Sequence, residues 1–496
     1  MLKSFEAQPV KDAMRWTIEE VARALGVAAP PGLDPLARLA GVSIDSRTLR
    51  TGELFFAIHG PRHDGHSFVA AALAAGAPAG VVARARLAEL PSELRGKLLA
   101  VDDTQQALQQ LALAVRRAWG GSLAGVTGSV GKTTTKEILA ALLAARFRVL
   151  KSEGNLNNEY GLPLTLLRLE PQHEAAVVEI GMSHRGEIRR LAAIAEPDIG
   201  VVTSVAPVHL EFFSSVDEIA LTKRELIEGL RGPQSFAVLN ADDARVAAFA
   251  EAATGRVLRY GFAADAMFRA EAIEDRGAEG TAFEFVSPAG RARLELPLVG
   301  RHNISNALGA LAAASIWGVG APEAAEVFPR LRPAAMRGEV LRFADGFAVI
   351  NDCYNSNPLA LEAMAGLLAT TPGYRRHILV AGEMLELGTT SRELHRQAGR
   401  RAAAQPGIDW IFGVQGDAAY LVEGACEAGH SIDRAKFFVT SDAAAEAVLD
   451  FVAPGDLLLV KGSRGVKMER IVEALKSHNA LSGAAARAGT AAKEHA

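Results

Sequence analysis

Short apolar runs alternate with stretches of helical spacing through two long regions of the chain, and that alternation predicts where strands and helices fall. In the first of these regions residues 123–126, 175–180, 199–205 and 236–239 read as strands, with helices near 133–145, 185–195, 216–229 and 242–252. Continuous apolar runs are what strands buried on both faces require, so the pattern predicts a parallel sheet covered by helices on each side. The period changes to two between 267 and 299, as in Thr281-Ala-Phe-Glu-Phe285 and Ala292-Arg-Leu-Glu-Leu296, which predicts an antiparallel appendage. A helix over 307–317 and a linker, Pro329-Arg-Leu-Arg-Pro333, follow. In the second region strands at 348–351, 377–380, 410–412, 436–439 and 457–460 alternate with helices near 358–369, 391–404, 418–427 and 441–451, a doubly wound unit. Ahead of both lie a helical pattern over 16–25, short strands within 42–47 and 52–58, an alanine-rich helix over 69–75, and strand candidates at 81–82 and 98–101; a helix over 105–118 leads into the next unit. The fold class predicted is α/β in three domains: a small α/β N-terminal domain over 1–103, a central parallel-sheet domain over 104–332, and a Rossmann-like C-terminal domain over 333–479. Residues 480–496 are mostly Ala, Gly and charged residues and predict a disordered tail.

Length agrees with this division, because 496 residues exceed what one core of ordinary size holds. The net charge of −4 offers no basic field for nucleic acid or an anionic membrane, so small molecules are the expected partners. Cys353 and Cys426 lie far apart, show no metal-ligand spacing, and suit a reducing compartment as buried apolar side chains. The first 16 residues mix Lys3, Glu6, Lys11 and Asp12 and do not read as a signal peptide. No run approaches the roughly 18 apolar residues of a membrane span. A cytoplasmic protein without membrane insertion is expected.

The strand 123–126 runs into Gly125-Val-Thr-Gly-Ser-Val-Gly-Lys-Thr-Thr134, which opens a helix. Strand, glycine loop and helix start together make a phosphate-binding loop, and a nucleoside triphosphate is its natural ligand. Gly128 and Gly131 let backbone N–H groups close around phosphate oxygens, Lys132 supplies a point charge, and Thr133 a hydroxyl for Mg²⁺. The usual spacing puts the first glycine at 126, where Val126 stands; Gly125 comes one residue early. In doubly wound sheets ligands sit beyond the carboxyl ends of strands. Glu179 stands at one such end, His209 and Glu211 follow another, and Lys223 lies on the next helix. Glu179 beside the loop reads as a ligand of a hard cation. His209 alone reads as a hydrogen-bonded loop histidine, and Lys223 alone as a solvated helix lysine. Asp45-Ser46-Arg47 could hold a phosphate, although a surface turn is its plain reading.

Taken together, Thr127-Gly-Ser-Val-Gly-Lys-Thr-Thr134, Gly154-Asn-Leu-Asn-Asn158, Glu179-Ile-Gly-Met-Ser-His184, His209-Leu-Glu211 and Thr222-Lys-Arg-Glu225 stand in the order seen in the Mur ligase family, which the chain therefore resembles. Asp45-Ser-Arg47, Gly52-Glu-Leu-Phe-Phe56 and Asp64-Gly-His66 resemble the uridine-nucleotide domain of its later members. Asp352-Cys-Tyr-Asn-Ser-Asn-Pro358, Gly382-Glu-Met-Leu-Glu-Leu-Gly388 and Lys461-Gly-Ser-Arg464 resemble the member acting last, which joins D-alanyl-D-alanine to UDP-N-acetylmuramoyl-tripeptide with ATP through an acyl phosphate. The likeness runs from about residue 16 to 477. It implies that Gly128, Ser129, Val130, Gly131, Lys132, Thr133 and Thr134 hold ATP phosphates, and that Asn303, Arg337, Asp352 and Asn355 complete the ATP site. Adenine falls to Asn303 and the ribose hydroxyls to Asp352. It implies two Mg²⁺ on Thr133, Glu179, His209 and Lys223, the last as a carbamate, because an ammonium beside Lys132 and two cations would add like charge. Lys132, Lys223 and His209 then carry the chemistry, Ser46 and Arg47 face the uridine diphosphate, and Asn357 and Glu383 the amine substrate, in a protein acting as a monomer. Three alternatives stay open: the related ligase that adds a diamino acid to the nucleotide dipeptide, a folate polyglutamate ligase, and a nucleotide-dependent switch.

Overall fold

Each of the three regions closes into one β-sheet in a computed structural model that describes residues 16–60 and 63–482. The first sheet is parallel, β1 (Gly41–Ser43), β2 (Glu53–Phe56), β3 (Gly80–Ala83) and β4 (Leu98–Val101) in that order. Its helix Ile18–Leu25 begins at Thr17, whose hydroxyl accepts from Glu20 N–H while the Glu20 carboxylate accepts from Thr17 N–H, a reciprocal cap. The next helix, Thr104–Trp119, is capped by the Asp103 carboxylate. That helix is shared between units: Leu108 and Leu111 pack into the first core, Ala112 and Val115 into the second.

The central sheet holds β5 (Ser122–Thr127), β6 (Val149–Lys151), β7 (Ala175–Glu179), β8 (Ile199–Val202), β9 (Phe236–Asn240), β10 (Arg256–Gly261), β11 (Phe268–Asp275), β12 (Thr281–Ser287) and β13 (Gly290–Leu296). Their spatial order is β13-β12-β11-β10-β9-β8-β5-β7-β6. The expected antiparallel appendage is present as an extension of this sheet. Strands β11 to β13 are antiparallel to one another as their period predicts, but they continue the central sheet. The link is β10, which pairs in parallel with both β9 and β11. Its sequence Arg-Val-Leu-Arg-Tyr-Gly carries exposed arginines that break the apolar run.

The third sheet runs β14-β15-β19-β16-β17-β18, from β14 (Glu339–Arg342), β15 (Ala348–Asp352), β16 (Arg376–Gly382), β17 (Trp410–Val414), β18 (Ala435–Phe438) and β19 (Asp456–Lys461). Only β14 is antiparallel. Residues 480–482, expected within the tail, are held against it: Leu481 bridges Phe343, and Ser482 N–H donates to Arg342 O at 2.9 Å. The remainder of that expected tail, 483–496, lies outside the described residues, as do 1–15. Among the described residues no helix is long and apolar enough to cross a membrane.

One helix starts earlier than its apolar spacing predicts. Helix Arg301–Ala314 begins at Gly300, whose φ of 88° turns the chain, so Arg301, His302 and Asn303 form its first turn. It packs against helix Lys132–Ala144, and Ile138, Leu139, Ile304, Leu308 and Leu311 of the pair share one buried core. Because one member of this pair carries residues of the phosphate loop and the other Asn303 and Asn306, its packing sets their spacing. Leu308→Ala removes a fully buried side chain there and is expected to cost about 2–5 kcal/mol, read as a lower denaturant midpoint. An unchanged midpoint would show that the helix pair does not depend on this contact.

Candidate active site

In the central sheet β5 lies between β7 and β8, so the chain leaves its carboxyl end at the point where strand order reverses, the place where doubly wound sheets open a crevice. The loop Gly128–Gly131 sits there. Gly128 has φ 149° and Gly131 φ 90°, and a Cβ on the first would overlap Thr203 Oγ1, on the second Asn306 Oδ1. Gly125, by contrast, lies inside β5 against Ile180 and Leu226, so the early glycine serves strand packing and not the loop. Residues just past β8 pin the loop: Thr203 Oγ1 donates to Val130 O at 2.5 Å, and Ser129 N–H donates to Ser204 O at 2.8 Å. Lys132 Nζ folds back to Gly128 O at 2.9 Å. Helix Lys132–Ala144 therefore points its N-terminus at whatever the loop encloses, which favours an anion.

Thr133 Oγ1 donates to Glu179 Oε2 at 2.9 Å, and Asn157 Nδ2 donates to Glu179 Oε1 at 2.8 Å. A buried carboxylate beside a hydroxyl at the edge of a phosphate cradle suits a hard cation. Among the described residues no group of three or more His, Cys, Asp and Glu side chains is arranged to hold a metal. Burial pushes the Lys132 ammonium below its usual pKa; the Glu179 carboxylate opposes the shift and Arg337 adds to it. Lys223 is 2% exposed, and burial pushes its ammonium well below the ordinary range, with the charge of Lys132 adding to the fall.

The third domain closes the opposite wall. Arg337 donates to Thr133 Oγ1 at 3.4 Å, and its guanidinium lies 4.0 Å from the centre of the Tyr354 ring. Asp352 and Lys461, the last residues of β15 and β19, are register partners, and Lys461 Nζ lies 2.6 Å from Asp352 Oδ2. Asn357 caps helix Pro358–Thr370, accepting from Ala360 N–H. Asn303 donates to Val299 O and accepts from Asn306 Nδ2 at 3.0 Å, which fixes its amide. His209 has φ 56° and meets the third domain directly: its Nδ1 is 2.5 Å from Glu386 Oε2, and Glu386 has φ 63°. That hydrogen bond holds the Glu386 carboxyl below the usual carboxylate range.

A cavity of about 680 Å³ lies between these walls. Most residues singled out in the sequence line it, and a few do not. Lys223 and Gly128 are buried and do not line it. Ser46 and Arg47 are in the first domain away from it, where the Arg47 guanidinium pairs with Asp45 at 2.6 Å and its hydrogen bonds hold the Asp45 carboxyl at about 2. Glu383 turns away as well. Its carboxylate accepts from Asp417 N–H at 3.0 Å, and side chains at the end of a strand alternate in direction, which the bare motif did not reveal. Thr203, Ser204, Asn157, Tyr354 and Lys461 line the cavity without having been given a role. Lys461 stands just past the strand expected at 457–460, where a search of strand ends finds it, whereas Thr203 and Ser204 fall inside the strand expected over 199–205, which in the structure ends at Val202.

A phosphate loop at a switch point, facing charged residues of a second α/β unit across a cleft, defines an enzyme that uses a nucleoside triphosphate between domains. Family profiles agree along the chain: "Mur ligase family, catalytic domain" matches residues 38–116, "Mur ligase middle domain" 126–314, and "Mur ligase, glutamate ligase domain" 336–464. The UDP-N-acetylmuramoyl-tripeptide--D-alanyl-D-alanine ligase of Bacillus subtilis (strain 168) is 36% identical over 436 residues, 88% of this chain and 93% of that protein. MurF from Acinetobacter baumannii superposes with a TM-score of 0.83 at 30% identity, covering 94% of this chain and 99% of that one. MurF ligase from Thermotoga maritima in complex with ADP gives 0.77 at 29% identity, covering 88% and 97%. The chain belongs to the Mur ligase family.

Gly131→Ala places a methyl group against Asn306 in a backbone conformation that L side chains rarely adopt. Affinity for a nucleoside triphosphate, measured by calorimetry, is expected to fall by about tenfold or more, as strain of about 1–3 kcal/mol implies. Native affinity in that variant would remove the loop from the binding site.

Proposed function

We propose that this chain is an ATP-dependent ligase that joins D-alanyl-D-alanine to UDP-N-acetylmuramoyl-tripeptide, giving the pentapeptide nucleotide, ADP and phosphate in peptidoglycan synthesis. The observation that carries this reading is the cavity in which the phosphate loop of the second domain faces Arg337, Asp352 and Asn357 of the third. Relatives named for this reaction match the chain over most of its length, which favours it over the diamino-acid ligase, the folate ligase and the switch. The ADP complex of the Thermotoga maritima relative supports ATP as the nucleotide.

A carboxylate is a poor electrophile, so amide formation needs an activated acyl group. Transfer of the γ-phosphoryl group to the tripeptide carboxylate forms an acyl phosphate and releases ADP. Attack by the dipeptide amine then gives a tetrahedral intermediate that expels phosphate as the amide forms. Lys132 offsets charge on the transferring group from within the loop, and Arg337 adds a second cation from the third domain. Asn303 faces adenine, Asp352 the ribose hydroxyls, Asn357 the amine substrate, and Ser46 with Arg47 the uridine diphosphate. Closure of the third domain over the loop excludes water that would hydrolyse the acyl phosphate.

Thr133 and Glu179 fit one Mg²⁺, and His209 with a carbamate on Lys223 would serve a second. Bound there, the ions supply positive charge where triphosphate and carboxylate meet. Burial disfavours the charged form of the Lys223 amine, which suits addition of CO₂ to it. The protein works as a monomer in the cytoplasm.

Incubation with ATP, Mg²⁺, the nucleotide tripeptide and D-alanyl-D-alanine is expected to raise the nucleotide's mass by the dipeptide less water; product only from a diamino acid and the nucleotide dipeptide would contradict the reading. Lys132→Ala is expected to lower kcat by about a hundredfold or more with the fold intact, the scale of lost charge stabilisation. Turnover near the native rate would take that lysine out of the chemistry. Lys223→Ala is expected to lose most activity and to regain part of it with added acetate, whereas unchanged activity would exclude the carbamate.

A further inference from the structure

Asp352 and Lys461 end adjacent parallel strands, and both line the cavity. The Lys461 side chain is 3% exposed, so its ammonium depends on protein acceptors. It has two: Asp352 Oδ2 at 2.6 Å and Asn355 O at 2.9 Å. Asp352 Oδ1, in contrast, has no hydrogen-bond partner among the described residues, and the side chain is 13% exposed beside the cavity. One carboxylate oxygen is thus tied down and the other is left to a ligand.

We infer that Lys461 is a positioning residue for nucleotide selection: by tying Asp352 Oδ2 it presents Oδ1 to the ribose hydroxyls, so that the enzyme distinguishes ATP from nucleotides lacking them. This rests on the reading of Asp352 as the ribose acceptor. The tie also reaches Asn355 O, which places the segment between β15 and Asn357 on the same anchor. A carboxylate without the ammonium would be free to rotate, and its hydrogen bonds to the ribose would weaken, while contacts to phosphates and adenine would not.

The test compares ATP with 2′,3′-dideoxy-ATP as the nucleotide in ligation by the full chain, for the native protein, Asp352→Asn and Lys461→Met. The native kcat/KM is expected to favour ATP by about ten- to hundredfold, the scale of hydrogen bonds to a charged acceptor. Lys461→Met is expected to bring that ratio close to one, chiefly through KM for ATP, with kcat/KM for the dideoxy nucleotide little changed. Lys461→Gln, which keeps a polar side chain, provides the same ratio should the methionine variant fold poorly. A native protein or an Asp352→Asn variant whose ratio shows no role for the aspartate overturns the ribose reading itself. Collapse of the ratio in Asp352→Asn with native discrimination in the lysine variants overturns the role of Lys461 alone. An equal loss for both nucleotides overturns it too, because a merely structural ion pair acts on both alike.

Discussion

Two anions must be brought together in this site, and the positioning of positive charge around the turn after β5 is the constraint on which the structure depends. Helix Lys132–Ala144 directs its N-terminus to that turn, and Lys132 lies folded over it. The turn itself holds its shape through contacts from outside: Thr203 and Ser204 past β8, and Asn306 from the neighbouring helix, occupy the space that side chains at Gly128 and Gly131 would need. Sheet order makes this possible, since β5 has β7 on one side and β8 on the other. Glu179 and Thr203 therefore reach the loop from opposite flanks.

Residues of the third domain form the other wall of the cavity. Arg337 brings a further cation to Thr133, and Glu386 meets His209 across the same boundary. Both His209 and Glu386 have positive φ, a conformation that costs energy in residues other than glycine and persists where surrounding contacts fix it. The domain boundary is thus part of the site, and the third sheet contributes through the ends of β15 and β19.

Much of the cavity's lining was legible in the sequence wherever a polar residue follows an apolar strand or a glycine turn. The phosphate loop and Glu179 are of that kind, whereas Asp352 entered only through the family resemblance. Strand β10 was hidden because its arginines interrupt the apolar run, and the start of helix Arg301–Ala314 because its first turn is polar. The Glu386–His209 contact joins residues far apart in sequence, which spacing cannot pair. Glu383 was placed by its motif, but the direction of its side chain depends on the turn at Gly416 and Asp417. Ser46 and Arg47 stand in a turn where Arg47 pairs with Asp45, so their relation to a ligand is not fixed by local contacts.

In the proposed reaction the cleft passes a phosphoryl group to a carboxylate before the amide forms. The most direct measurement uses nucleotide tripeptide labelled with ¹⁸O in its reacting carboxylate, with the released phosphate followed by ³¹P NMR during ligation of D-alanyl-D-alanine. Passage through an acyl phosphate predicts that one carboxylate oxygen leaves with phosphorus, so the phosphate signal shows the isotope shift of one ¹⁸O. Phosphate free of label, formed alongside the amide, would contradict the account.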